Sequence, residues 1–142
     1  MEKRTTKDLE HELSGCACLS HYLTENSDCV MAELELPREL ERLMEERSLR
    51  RTDVIRSSGL NDIYVHQIFS GKRRPSRNKL LCLFFGMGLD AEAVQYVLKH
   101  CGYPPLYVKN RRDSVILFAL QNGFTLLQAN EILFEHGEAV LS

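Results

Sequence analysis

The residues best suited to chemistry gather in one stretch. Lys72-Arg73-Arg74-Pro75-Ser76-Arg77-Asn78-Lys79 puts five cations into eight residues. That density suits a polyanion, although a charge run taken alone more often marks a solvated loop at a helix start. Other candidate centres carry less. Cys16-Ala17-Cys18, with His11, His21 and Cys29 nearby, offers metal donors, but a Cys-x-Cys without a second pair fits no standard zinc spacing, and no metal is expected. Ser76-Arg77-Asn78-Lys79 has the Ser-x-x-Lys form of some acyl-transfer enzymes and lacks their companion motifs. Gly86-Met87-Gly88 follows no strand and misses the third glycine of a phosphate loop. Nothing resembles a catalytic pair, so neither an enzyme nor a cofactor is expected.

The charge around that stretch is partitioned. Residues 1–46 carry 12 Asp and Glu against 5 Lys and Arg, a formal −7, while residues 47–112 carry 13 cations against 4 acids, a formal +9. Residues 113–142 hold 4 acids and no Lys or Arg, which brings the total to −2. A basic middle between acidic ends is the footprint of a polyanion-binding module with acidic accessory segments. The 142 residues are 44% hydrophobic and 27% charged, which fits one ordinary globular domain, or a small one with a helical extension. No apolar run approaches the roughly 18 residues of a membrane span, so no membrane role is expected. Met1 to Asp8 has cations but no apolar stretch behind them, unlike a secretory signal. Five irregularly spaced cysteines then read as reduced thiols in a cytoplasm. Cys82 and Cys101 lie on apolar helix faces and are expected in the core.

Helices must position the cations. The front of the chain is acidic and weakly periodic, and is expected to be a partly ordered arm over 1–36. Pro37 suits the first turn of a helix, and Leu36, Leu40, Leu43 and Met44 repeat at helical spacing behind it. Arg51 to Ser58 forms a second helix that turns Val54 and Ile55 inward; Gly59 ends it in the left-handed conformation. Asn61 caps a third over Asp62–Phe69, with Val65, Ile68 and Phe69 inward and Gly71 as its stop. Two short helices joined by a tight glycine turn make a helix-turn-helix. Beyond Pro75 the chain matches itself at an offset of 35: Arg77-Asn78-Lys79-Leu80-Leu81 against Arg112-Asp113-Ser114-Val115-Ile116, Gly88-Leu89-Asp90 against Gly123-Phe124-Thr125, Val97-Leu98 against Ile132-Leu133, and Gly102 against Gly137. Each copy reads as helix, Gly stop, apolar residue, N-cap and second helix, a helical hairpin built twice. Helices are expected at Lys79–Met87 and from Asp90, with Cys101 to Tyr107 as the connector. His100 and His136 close their helices near Gly stops.

The run Leu49 to Ser76 resembles the Cro/lambda-repressor-like (XRE) helix-turn-helix family. Gly59 with Leu60, the inward Val65 and Ile68, and the terminal Gly71-Lys72-Arg73-Arg74-Pro75-Ser76 carry the likeness, which covers residues 38–90, under half the chain. The resemblance implies an all-α fold: a lambda-repressor-like five-helix bundle over 37–102, with a C-terminal helical hairpin over 103–142. It implies that the third helix enters the major groove of DNA by its N-terminal residues. Asp62, Ile63, His66 and Gln67 would then face base edges: Gln suits adenine, Asp the cytosine amino group, Ile a thymine methyl. Arg51, Asn61, Ser70, Lys72, Arg73 and Arg74 would contact phosphates, and Tyr64 backbone or sugar. The family commonly has Gln at the place of Arg51 and a polar or basic residue at the place of Asp62; an Arg51–Asp62 pair would replace that contact.

The expected function is therefore sequence-specific binding of double-stranded DNA, as a cytoplasmic transcriptional regulator of bacterial type, working as a homodimer. The rival is a helical adaptor that keeps the helix-turn-helix shape and binds protein. Asp62, Ile63 and Tyr64 suit a protein better than a phosphate-rich surface, and an acidic arm could lie across the basic one. The apolar set Val115, Ile116, Phe118, Leu126, Ile132 and Phe134 is the expected place for a dimer or partner interface, with plain core packing as its alternative.

Overall fold

Among the described residues, seven stretches satisfy helical spacing, and each becomes an α-helix. The computed structural model describes residues 34–142; the acidic arm and the Cys16, Cys18, Cys29, His11 and His21 group lie outside the described residues, apart from the arm's end. The helices are α1 (Leu36–Glu46), α2 (Arg51–Ser58), α3 (Asp62–Ser70), α4 (Arg77–Met87), α5 (Ala91–His100), α6 (Arg111–Gln121) and α7 (Leu126–Glu135). No strand occurs among the described residues, so the chain is all-α there. None of these helices is long and apolar enough to cross a membrane.

The caps do the local work. Asn61, Ser76, Asp90, Asn110 and Thr125 each accept a backbone N–H in the first turn of the following helix, and Thr125 completes a capping box with Gln128. Ser76 explains why α4 starts at Arg77 and not, as the spacing predicts, at Lys79. Gly59 ends α2 at φ 68°, where a side chain would be strained.

Helix α4 is the axis of the core. Leu80, Leu81, Cys82, Leu83, Phe84, Phe85 and Met87 are all buried, so it is apolar around its circumference as an internal helix must be. Burial pushes the Cys82 thiol above its ordinary value. Helix α2 lies along α4 so closely that a Cβ on Gly86 would stand 2.8 Å from the Val54 carbonyl oxygen and 2.9 Å from the Ser58 Cβ. Gly86 is thus a packing residue. Ser58 is buried beside it with its hydroxyl donating to the Ile55 carbonyl (2.9 Å). Helix α1 packs on α3.

The duplication is present in the structure down to single hydrogen bonds. Leu89 N–H donates to the Phe84 carbonyl and, 35 residues on, Phe124 N–H to that of Ala119. Gln95 grips both backbone groups of Leu106 (2.7 and 2.8 Å), and Asn130 does the same to Leu141 (2.9 and 2.7 Å). The two hairpins meet reciprocally. Helix α4 packs on α7 while α5 packs on α6. Arg77 donates to Asp113, and its repeat equivalent Arg112 donates to Asn78, the equivalent of Asp113. When i meets j and the copy of j meets the copy of i, the relation is a local two-fold, whereas stacked solenoid units would pair like helix with like. Residues 34–142 accordingly share one hydrophobic core, to which the second hairpin contributes Ile116, Ala119, Ala129 and Leu133.

Candidate nucleic-acid interface

Helix α3 presents its candidate residues as a stripe. At about 100° per residue, Asp62, Ile63, His66, Gln67 and Ser70 fall within about 140° of its circumference. Asp62, Ile63, His66 and Ser70 are exposed and Gln67 is half-buried, while Val65, Ile68 and Phe69 turn into the core. Ile63 keeps 64% of its surface in solvent. Among the described residues, α3 is anchored chiefly on the opposite side, by α1 and the core.

Two of the polar residues are committed locally. The Asn61 side-chain oxygen Oδ1 accepts from Ile63 N–H (2.9 Å) and Tyr64 N–H (3.3 Å), and Asp62 Oδ1 also accepts from Ile63 N–H (2.8 Å). A carboxylate at the positive end of a helix dipole is stable there. Tyr64 is half-buried and packs against the core.

The expected Arg51–Asp62 pair does not form, because Arg51 is held elsewhere. Its Nη2 donates to Glu41 Oε1 at 2.7 Å, its Nη1 lies 3.1 Å from His66 Nδ1, and its guanidinium carbon sits 4.3 Å from the centre of the Phe69 ring. One side chain at the start of α2 thereby ties α1 to α3. Sequence reasoning missed Glu41 and Phe69 as its partners. They lie 10 and 18 positions away on other helices, and no local spacing connects them.

Beyond α3 the chain is clamped so that its cations face out. The Tyr103 hydroxyl donates to the Pro75 carbonyl at 2.6 Å. Burial pushes that phenol above its ordinary value, against the lowering effect of Arg74. Arg74 donates to the Cys101 carbonyl (2.6 Å) and stacks on the Tyr103 ring at 4.4 Å. Lys72 and Arg73 stand exposed on the clamped loop, with Arg73 N–H bonded back to the Gln67 carbonyl (3.2 Å). Of the five clustered cations, Arg77 turns inward to Asp113, which is only 4% exposed. The structure therefore splits the cluster: Lys72 and Arg73 are presented, while Arg74 and Arg77 tie the segment after α3 to the hairpins.

The apolar set of the second hairpin divides likewise. Ile116 is fully buried, and Val115 and Leu126 pack on the core, but Phe118 and Phe134 are 50% and 78% exposed. Leu127, seven residues before Phe134 on the same side of α7, is 71% exposed. Phe118 meets Phe124 edge-on at 5.8 Å.

No protein-family model, no curated protein and no solved structure matches this chain.

Proposed function

We propose that the protein is a sequence-specific double-stranded DNA-binding regulator, with α1–α5 arranged as in the lambda-repressor-like bundle and α3 as the helix that enters the major groove. The observation that carries this is the uncovered stripe of α3 ending in two presented cations. Asp62, Ile63, His66 and Gln67 would meet base edges, with Asn61 and Ser70 close to the phosphate rails. Lys72 and Arg73 supply most of the phosphate attraction, since Arg51 and Arg74 have their guanidinium groups engaged within the bundle. A homodimer would place two such helices in successive major grooves.

Titration of a labelled mixed-sequence duplex at low salt tests the reading. Binding in the micromolar range is expected from non-specific contacts alone, and none below about 10 μM would sink it.

A protein-binding adaptor is the second reading, and the exposed Phe118, Leu127 and Phe134 favour it. Scattered exposed apolar residues are common, but three large ones within residues 113–142, a stretch without Lys or Arg, make a surface suited to a protein. The two readings are compatible if the hairpin holds the dimer or a partner while α3 holds DNA. Phe134→Asp separates them: it abolishes self-association or partner binding and leaves the affinity of α3 for a single half-site unchanged.

A further inference from the structure

We infer that His66 selects a guanine through an Nε2–H donor whose tautomer is set by Arg51, an inference that rests on the DNA reading above. A guanidinium has five N–H donors and no acceptor. The 3.1 Å contact between Arg51 Nη1 and His66 Nδ1 is therefore a hydrogen bond only with Nδ1 as the acceptor. A neutral imidazole carries one proton, which then resides on Nε2.

The arrangement is more than a chance surface contact because the donor is itself fixed. Glu41 of α1 holds the other arm of Arg51 at 2.7 Å, and the Phe69 ring lies under the guanidinium plane. Side chains from α1, α2 and α3 thus converge on one exposed ring in the middle of the outward stripe. An unheld imidazole would sample several rotamers and either tautomer; this one has a preset donor direction.

A single N–H donor discriminates among base edges. Guanine offers two neighbouring acceptors, N7 and O6. Adenine places an amino donor beside its N7, cytosine presents only an amino group, and thymine flanks its O4 with a methyl. A lone donor is best matched by guanine. A side-chain amide at the same position carries both a donor and an acceptor and matches adenine instead. His66 is then the specificity-determining residue and Arg51 its positioning residue.

The test is selection of bound sites from a random duplex pool with the wild type, His66→Ala, His66→Gln and Arg51→Met. The wild type is expected to require guanine at one position of each half-site, by about three- to tenfold over other bases, the worth of one hydrogen bond. His66→Ala loses the preference at that position alone, and His66→Gln moves it to adenine. Arg51→Met, which keeps an apolar stem against Phe69, weakens the guanine preference at the same position and no other. A uniform fall in affinity for His66→Ala with every base preference intact would overturn the inference by putting His66 at a phosphate. Unchanged binding would overturn it as well. A wild type that selects no sequence defeats the DNA reading first, so the two failures are distinguishable. Ring 15N shifts of the unbound full chain provide a readout without DNA: neutral His66 is expected with Nε2 protonated, and an Nδ1–H ring would overturn the assignment.

Discussion

At the scale of single residues, the reciprocal contacts between the hairpins are unequal. Arg77 meets a carboxylate and is held by two hydrogen bonds, at 3.2 and 2.7 Å. Arg112 meets an amide, whose one oxygen takes Nη1 at 3.0 Å, and its buried Nη2 is left without a partner. Asn78→Asp restores the symmetry: a second oxygen becomes available to Arg112, and a negative charge enters the first turn of α4, where the dipole favours it. The variant is expected to be more stable by about 1 kcal/mol in urea unfolding, the typical net worth of one hydrogen bond. An unchanged or lower midpoint would count against this account of the orphaned nitrogen. Asp113→Ala runs the other way. It strips Arg77 of its buried carboxylate and Tyr107 N–H of its 3.0 Å acceptor, and should cost about 3 kcal/mol. The Arg77 and Asp113 types were legible as the start of a repeat, but their bond was not, since it joins residues 36 apart.

At the scale of elements, the decisive contact is α2 against α4. Gly86→Ala inserts a methyl group where the Val54 carbonyl and Ser58 already sit, and neither is the free end of a flexible side chain. Overpacking of this kind costs about 1–3 kcal/mol. Because α2 carries Arg51 at its start, the displacement should also loosen the Glu41–Arg51–His66 chain. Gly59→Ala is the control: nothing lies within 4 Å of its Cβ, so only the left-handed backbone at φ 68° resists it, at about 1 kcal/mol. If both variants fold equally well and bind DNA equally, the proposed coupling from α4 to α3 is wrong. Sequence spacing located these helices and their caps well, because caps and periodicity are local. It read Gly86 only as a failed phosphate loop, since the closeness of a neighbouring helix leaves no mark in the glycine's own neighbourhood.

At the scale of the whole molecule, charge governs the expected DNA binding. Lys72→Ala combined with Arg73→Ala should weaken binding to all sequences and flatten the salt dependence by about 2 in log-log slope, near 0.9 per lost phosphate contact. Arg74→Ala should behave differently, lowering stability through the lost Cys101 and Tyr103 contacts. Removing residues 1–33, which carry 7 acids against 3 cations, should raise DNA affinity at low salt. That boundary spares Leu34, whose N–H donates to the His100 carbonyl at 2.7 Å, and Leu36, which is in the core. An unchanged affinity would show that the acidic segment does not oppose binding.

By itself the sequence determined the all-α class of the described residues, the short helices α2 and α3 with the glycine that ends α2, the inward residues of α3 and the duplicated hairpin. All of these follow from propensity, capping and period, which act over a few residues or recur at a fixed offset. Tertiary structure alone decided which cations of the cluster face solvent, which partners Arg51 takes, and that the duplicated hairpins meet reciprocally around a local two-fold. A side chain's partner is chosen by distance in space, and chain spacing constrains that distance only within an element.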